Sequence, residues 1–243
     1  MNLFSDALEW LFSPERLVGS NAIPLRVLEH FGYTMVSLVV SAIIAIPLGL
    51  AIGHFRRGRE LSVALSGAAR ALPSLGLLTL LALLMGLGAA PIAAVIVFVV
   101  LGTPSVLAGA YSGIESVDPS TVAAARAMGM TEWQVLWKVE VPLGLPLLVG
   151  GLRSAALQIV ATATLAAYIG LGGLGSYIFA AIPLRRFVVM LGGAILIVVL
   201  AIVLDILFAA AGRTVTPRGV RARRRRAERS PSLRTRSVAK LTM

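Results

Sequence analysis

Residues 168–178 read YIGLGGLGSYI, and Gly170, Gly172 and Gly175 keep the G-x-G-x-x-G spacing that brings backbone up to a pyrophosphate. That chemistry needs a strand before the glycines and an acid about 20 residues after them. Here an apolar run precedes, position 195 is Ile, and the first acid to follow is Asp205. With Gly173 there are four glycines, which suit backbone that turns sharply or packs closely without Cβ clashes. No G-x-x-x-x-G-K-[ST] stretch is present to cradle a nucleotide. Cysteine is absent, and His30 and His54 stand 24 positions apart, so the sequence offers no metal-ligand spacing and no resident cofactor is expected. Three charged side chains remain: Arg70, Arg153 and Asp205, each in or beside a long apolar run. An ionisable group there is costly and faces a partner or a wet cavity.

The elements that position these groups are membrane spans. The 243 residues are 58% hydrophobic and 14% charged, with a mean hydropathy of +0.90; a soluble domain carries about 25% charged residues. A span needs about 20 mostly apolar residues. Five candidates fit, at about 33–53, 61–86, 91–111, 145–169 and 187–211. They are too long and too continuously apolar for the alternating strands of an outer-membrane barrel. The reading is an all-α integral membrane protein with a domain over 25–212 and a short amphipathic helix in an interfacial segment, 1–24. That segment lacks the basic start of a signal peptide and is expected to stay on the mature chain. Of the net charge of +11, +10 lies between Arg213 and Met243, a low-complexity tail expected to be disordered. The tail has no aromatic residue to stack on bases, so anionic lipid and topology are its expected roles, and nucleic acid is not an expected partner. Arg56, Arg57 and Arg59, the 112–142 loop and the tail fall on one side of a five-span chain. The positive-inside rule makes that side cytoplasmic and puts the N-terminus and the glycine motif outside. At about 1.5 Å per residue, Arg70, Arg153 and Asp205 lie at similar depth in the cytoplasmic half. Asp205 is expected to pair with Arg153 or Arg70, with snorkelling to the headgroups as the alternative for the arginines. Pro47, Pro73 and Pro104 interrupt apolar spans, as fixed kinks or as hinges. Thr162 and Thr164, beside the glycine motif, line a path or bond helices together.

The loop at 112–142 reads as two short helices around a glycine turn. Asp118 before Pro119 is an N-cap followed by a proline suited to the first helical position. The helix it starts stops at Gly129, and Thr131 with Gln134 form a capping box for a second helix over 132–139. Pro142 and Pro146 are expected to end that helix and begin the next span. Met128, Met130 and Trp133 are expected to be exposed, as on a protein-docking surface; an amphipathic connector resting on the bilayer would read the same way. This loop resembles the E-A-A-x-x-x-G-x9-I-x-L-P signature of the permease subunits of ABC importers. Ala123, Ala124, Ala125, Gly129, Val139, Val141 and Pro142 stand at its positions, with Ala123 in place of the glutamate. The stretches ALPSLGLLTLL, GIESVDPSTVAAARAMGMTEWQVL, VEVPLGLPLLVGGLRSA and ATATLAAYIGLGGLG are similar to the branch that imports glycine betaine, choline, carnitine or proline betaine.

The resemblance implies a five-helix core of the type I ABC importer permease kind. It implies two copies of a separate ATPase that binds ATP and Mg, a second permease subunit, same or paralogous, and an external substrate-binding protein. It places the ATPase contact on the loop, at Ala123, Ala124, Ala125, Met128, Gly129, Met130, Thr131, Glu132, Trp133 and Pro142. It places the outer end of the path at Thr162, Thr164, Tyr168, Gly170, Gly172, Gly173 and Gly175, with the glycines as a tight non-helical turn. The chain itself is then a permease in the cell membrane, not an enzyme. An importer of methionine or another amino acid is the alternative within the class; a membrane enzyme or assembly factor is the rival outside it.

Overall fold

The computed structural model describes residues 2–215, all of it helix and turn with no strand among the described residues. Hydrocarbon offers backbone no hydrogen-bond partners, so helices are what such sequences form. In chain order they are α1 (Leu3–Phe12), α2 (Ile23–Phe55), α3 (Arg59–Ala71), α4 (Ser74–Met85), α5 (Ala90–Glu115), α6 (Pro119–Ala127), α7 (Glu132–Val135), α8 (Val141–Ala163), α9 (Gly175–Ala181) and α10 (Phe187–Val215). Four continuous helical stretches are each long and apolar enough to cross a membrane: α2, α5, the run Glu132–Ile169, and α10.

The expected second span is not one helix. It breaks at Leu72–Pro73, and α3 and α4 meet there at 82°. Leu72 is extended at φ −69°, ψ 130°, the conformation that a following proline imposes by clashing with helical geometry. Five spans result only if this bent pair is counted as one. A second expectation also fails. Pro142 and Pro146 do not separate the loop from the next span, because helix runs on from Glu132 through a π-helical segment, Leu136–Glu140, into α8. The wider π turn bonds Val141 N–H to Leu136 O immediately before the proline. It loosens the ladder at the point where Pro142 would crowd the preceding turn. α2 begins ten residues before the expected first span, and α10 continues through Val215, so residues 213–215 of the expected tail are helical. The remainder of the tail lies outside the described residues.

α5 is the central helix, packed along both α2 and α8. Its core contacts are apolar: Phe98, Val97, Leu101 and Val106 meet Leu38, Ala45, Ala155, Ala156 and Ile159. Small residues let the backbones approach, the usual means of helix association in lipid. At one close crossing Gly113 faces Gly144, and a Cβ on Gly144 would stand 2.7 Å from the Gly113 carbonyl carbon. At the opposite end α1 lies against α10. The Trp10 ring fills the space that a Cβ on Gly192 would take, and stands edge-on to Tyr177 at 5.2 Å.

Gly144→Ala should therefore force α5 and α8 apart and destabilise the protein by about 1–3 kcal/mol. Gly150→Ala, whose Cβ would meet nothing within 4 Å, should leave stability unchanged or slightly raised. Thermal unfolding of the two purified variants distinguishes the outcomes.

Candidate functional site

At the loop end, each turn of the two-helix loop is fixed by local chemistry. The Asp118 carboxylate accepts from Ser120 N–H at 2.9 Å and starts α6. α6 stops at Gly129, whose φ of 83° only glycine adopts without strain. The reciprocal capping box of Thr131 and Gln134 then starts α7. Beneath the turn, Val117, Val122, Ala125 and Val135 form a small buried cluster, with Met130 and Val139 packed on it. So Ala125 and Met130 face inward, and Pro142 is half-buried within continuous helix. Ala123, Ala124, Met128, Gly129, Thr131, Glu132 and Trp133 face outward, with Met128 77% and Trp133 70% exposed. The Trp133 and Trp137 rings meet edge-on at 5.5 Å, beside an apolar cavity of about 270 Å³ whose far wall is Pro47, Leu50 and Phe55 of α2.

A chain of charges ties this element to α2. Arg126 donates from Nε and Nη2 to both oxygens of Glu132, each at 2.8 Å, spanning the glycine turn. That fork holds the Glu132 carboxyl below its ordinary range and raises the Arg126 guanidinium, so both stay charged at neutral pH. Glu132 Oε2 lies 3.3 Å from His54 Nε2, and His54 Nδ1 lies 2.5 Å from Glu140 Oε2. His54 and Glu140 are both buried. Neither was singled out from sequence, because a histidine 86 positions from its carboxylate carries no spacing signal. The one available hint was a lone glutamate in the apolar run VEVPLGLP.

At the opposite end the glycine motif is a turn, not helix. α8 tightens into a 3-10 segment, Thr164–Ile169; Gly170, Gly172 and Gly173 then take φ of 83°, 76° and 70° before α9 starts. A Cβ on Gly175 would stand 2.8 Å from the Thr164 carbonyl carbon. The turn is fastened to α2: Glu29 Oε2 accepts from Gly173 N–H and from Arg26 Nη1, each at 2.8 Å. Tyr33 Oη donates to Leu171 O, and the buried His30 Nε2 reaches Val160 O at 3.0 Å. Thr162 Oγ1 bonds back to Gln158 O and Ile159 O, so its hydroxyl is used within its own helix. Thr164 is half-buried, and Tyr168 is exposed with its ring edge-on to Phe179.

Between the ends, Arg153 takes Asp205 through a two-bond fork of 2.5 and 2.6 Å. Arg70 does not share it; its Nη2 donates to Ser105 Oγ at 3.3 Å. Of the two arginines considered for Asp205, the geometry selects Arg153.

Glu140→Ala should strand the buried His54 ring and destabilise the protein by about 1–3 kcal/mol, whereas Arg126→Ala, at an exposed pair, should move thermal unfolding little. Equal shifts in the two variants would contradict the buried placement of the His54–Glu140 contact.

The chain is similar to the glycine betaine/carnitine/choline transport system permease protein OpuCB of Bacillus subtilis (strain 168). They are 34% identical over 192 residues, 79% of this chain and 88% of the other. It is 33% identical to the osmoprotectant import permease protein OsmW of Salmonella typhimurium, covering 79% of this chain and 91% of that one. Among solved structures, a chain of the MetNI methionine ABC transporter in an inward-facing conformation shares the fold. Its TM-score is 0.69 at 23% identity, over 79% of this chain and 96% of that chain. Residues 45–218 match the binding-protein-dependent transport system inner membrane component family. Helical architecture and sequence agree, and the chain belongs to that family of multi-pass transport permeases.

Proposed function

We propose that this chain is the membrane subunit of an ATP-driven importer of osmoprotectants: glycine betaine, choline, carnitine or proline betaine. It works with two copies of an ATPase, a second permease, same or paralogous, and an external binding protein. ATP and Mg are bound by the ATPase; this chain carries the path and hydrolyses nothing. The observation that carries the reading is the exposed tip Ala123, Ala124, Met128, Gly129 and Trp133, set on a braced pair of short helices. A tip joined to α8 without a break moves a span when the ATPase moves the tip. The His54 contacts carry the same displacement to α2.

Lys and Arg bias places the loop and the arginine-rich end in the cytoplasm, and α1 and the glycine turn outside. Selection of the solute rests mainly with the binding protein, because quaternary-ammonium cages are aromatic and this chain is 6% aromatic. Substrate assignment follows from what the permease relatives are named for; the likeness to the methionine transporter supports the fold alone.

The decisive experiment uses the complete importer in liposomes. Met128→Asp replaces an exposed side chain that the fold does not use. Its expected effect is a loss of about tenfold or more in substrate-stimulated ATPase and uptake, with unfolding temperature unchanged, as for a hot-spot contact of about 2 kcal/mol. Undiminished uptake would remove the coupling role from the loop.

A further inference from the structure

The α3–α4 break carries a cation, Arg70, that has no carboxylate partner among the described residues. α3 runs along α5 from its loop-end terminus: Arg59 Nη1 lies 3.5 Å from Glu115 Oε2, and Arg70 Nη2 reaches Ser105 Oγ. Ser105 is ten residues before Glu115, about 15 Å higher along α5. Arg70 is therefore deep in the hydrocarbon, yet its side chain is exposed on the surface of this chain. Among the described residues no carboxylate pairs with it.

The start of α4 lies close by in the chain. Three residues after Arg70 the chain turns at Pro73, and α4, twelve residues long, starts there with no side-chain cap. Its first N–H groups are thus left for a partner, and a helix N-terminus favours negative charge. Broken helices in transporters present such ends to anionic substrate groups. Gly76 in the first turn adds no bulk.

We infer that Arg70, with Ser105 and the start of α4, is a carboxylate-binding subsite on the transport path. It would hold the carboxylate end of a zwitterionic quaternary-ammonium solute such as glycine betaine or carnitine. This deepens, and rests on, the osmoprotectant reading above. The guanidinium fork matches a carboxylate in two parallel hydrogen bonds. Ser105, 8% exposed, orients it from beneath. Choline has no carboxylate and makes no use of the subsite.

The test is uptake of glycine betaine and of choline by the complete importer carrying Arg70→Gln or Arg70→Lys. Arg70→Gln should lower glycine betaine uptake by about tenfold or more and keep choline uptake within about twofold, with Arg70→Lys intermediate for glycine betaine. Equal loss of both solutes, the result for an ion pair with a partner subunit, overturns the subsite, as does no loss of either. Wild type moving choline alone overturns it too. Wild type moving neither solute refutes the osmoprotectant reading, and a second readout then judges the subsite by itself. Modification of Arg70 by phenylglyoxal in the wild-type complex should be slowed by acetate but not by choline. Labelling indifferent to acetate overturns the inference, and the same readout decides if only glycine betaine is moved.

Discussion

Hydrocarbon accepts no unpaired backbone group, and most breaks in helix among the described residues give their backbone groups local partners. Where α8 gives out into the glycine turn, Gly173 N–H goes to the Glu29 carboxylate and Leu171 O receives Tyr33. Where α6 ends, Gly129 and Met130 N–H groups fold back on Arg126 O and Ala125 O. Where Pro142 withholds a donor, the helix widens by a residue just before it. At the glycine turn, polar side chains of α2 thus cap displaced backbone. The break before α4, which lacks such a cap, stands apart for that reason.

The same constraint divides labour between the two ends. At the loop end, charges do the tying: Arg126, Glu132, His54 and Glu140 form one connected series from the exposed tip to the end of α2. At the far end, α2 again is the anchor, through Arg26, Glu29, His30 and Tyr33. α2 is thereby linked to both termini of the run Glu132–Ile169, while α5 is locked between them by backbone-close glycine contacts. The three long elements behave as a frame, with the bent α3–α4 pair laid on its side and touching mainly α5.

Composition and run length made the helical membrane class legible, and local signals at Asp118, Gly129, Thr131 and Gln134 set out the two-helix loop. What sequence could not convey were facts of register and distance. One hydropathy window over 61–86 averages across an 82° bend. Pro142 looks like a terminator until the π segment before it is seen. Met130 shares its polarity and position with Met128, and only packing against Val122 and Val135 turns it inward. The charges at 70, 153 and 205 were visible, but their partition depended on which helices α8 touches. The contacts of His54 and of Glu29 link positions 86 and 144 residues apart, beyond any periodicity.

The π segment has a further consequence. A π turn holds one residue more than an α turn, so Leu136–Glu140 is in effect an insertion inside an otherwise continuous helix. Each residue advances a helix by about 100° around its axis. Removing one residue there would leave the chain helical, yet swing Trp133 and Glu132 through roughly a quarter of a circle relative to α8. The azimuth at which the tip projects from α8 is thus encoded as a count of residues, and a family of such permeases could re-aim the tip by gaining or losing one.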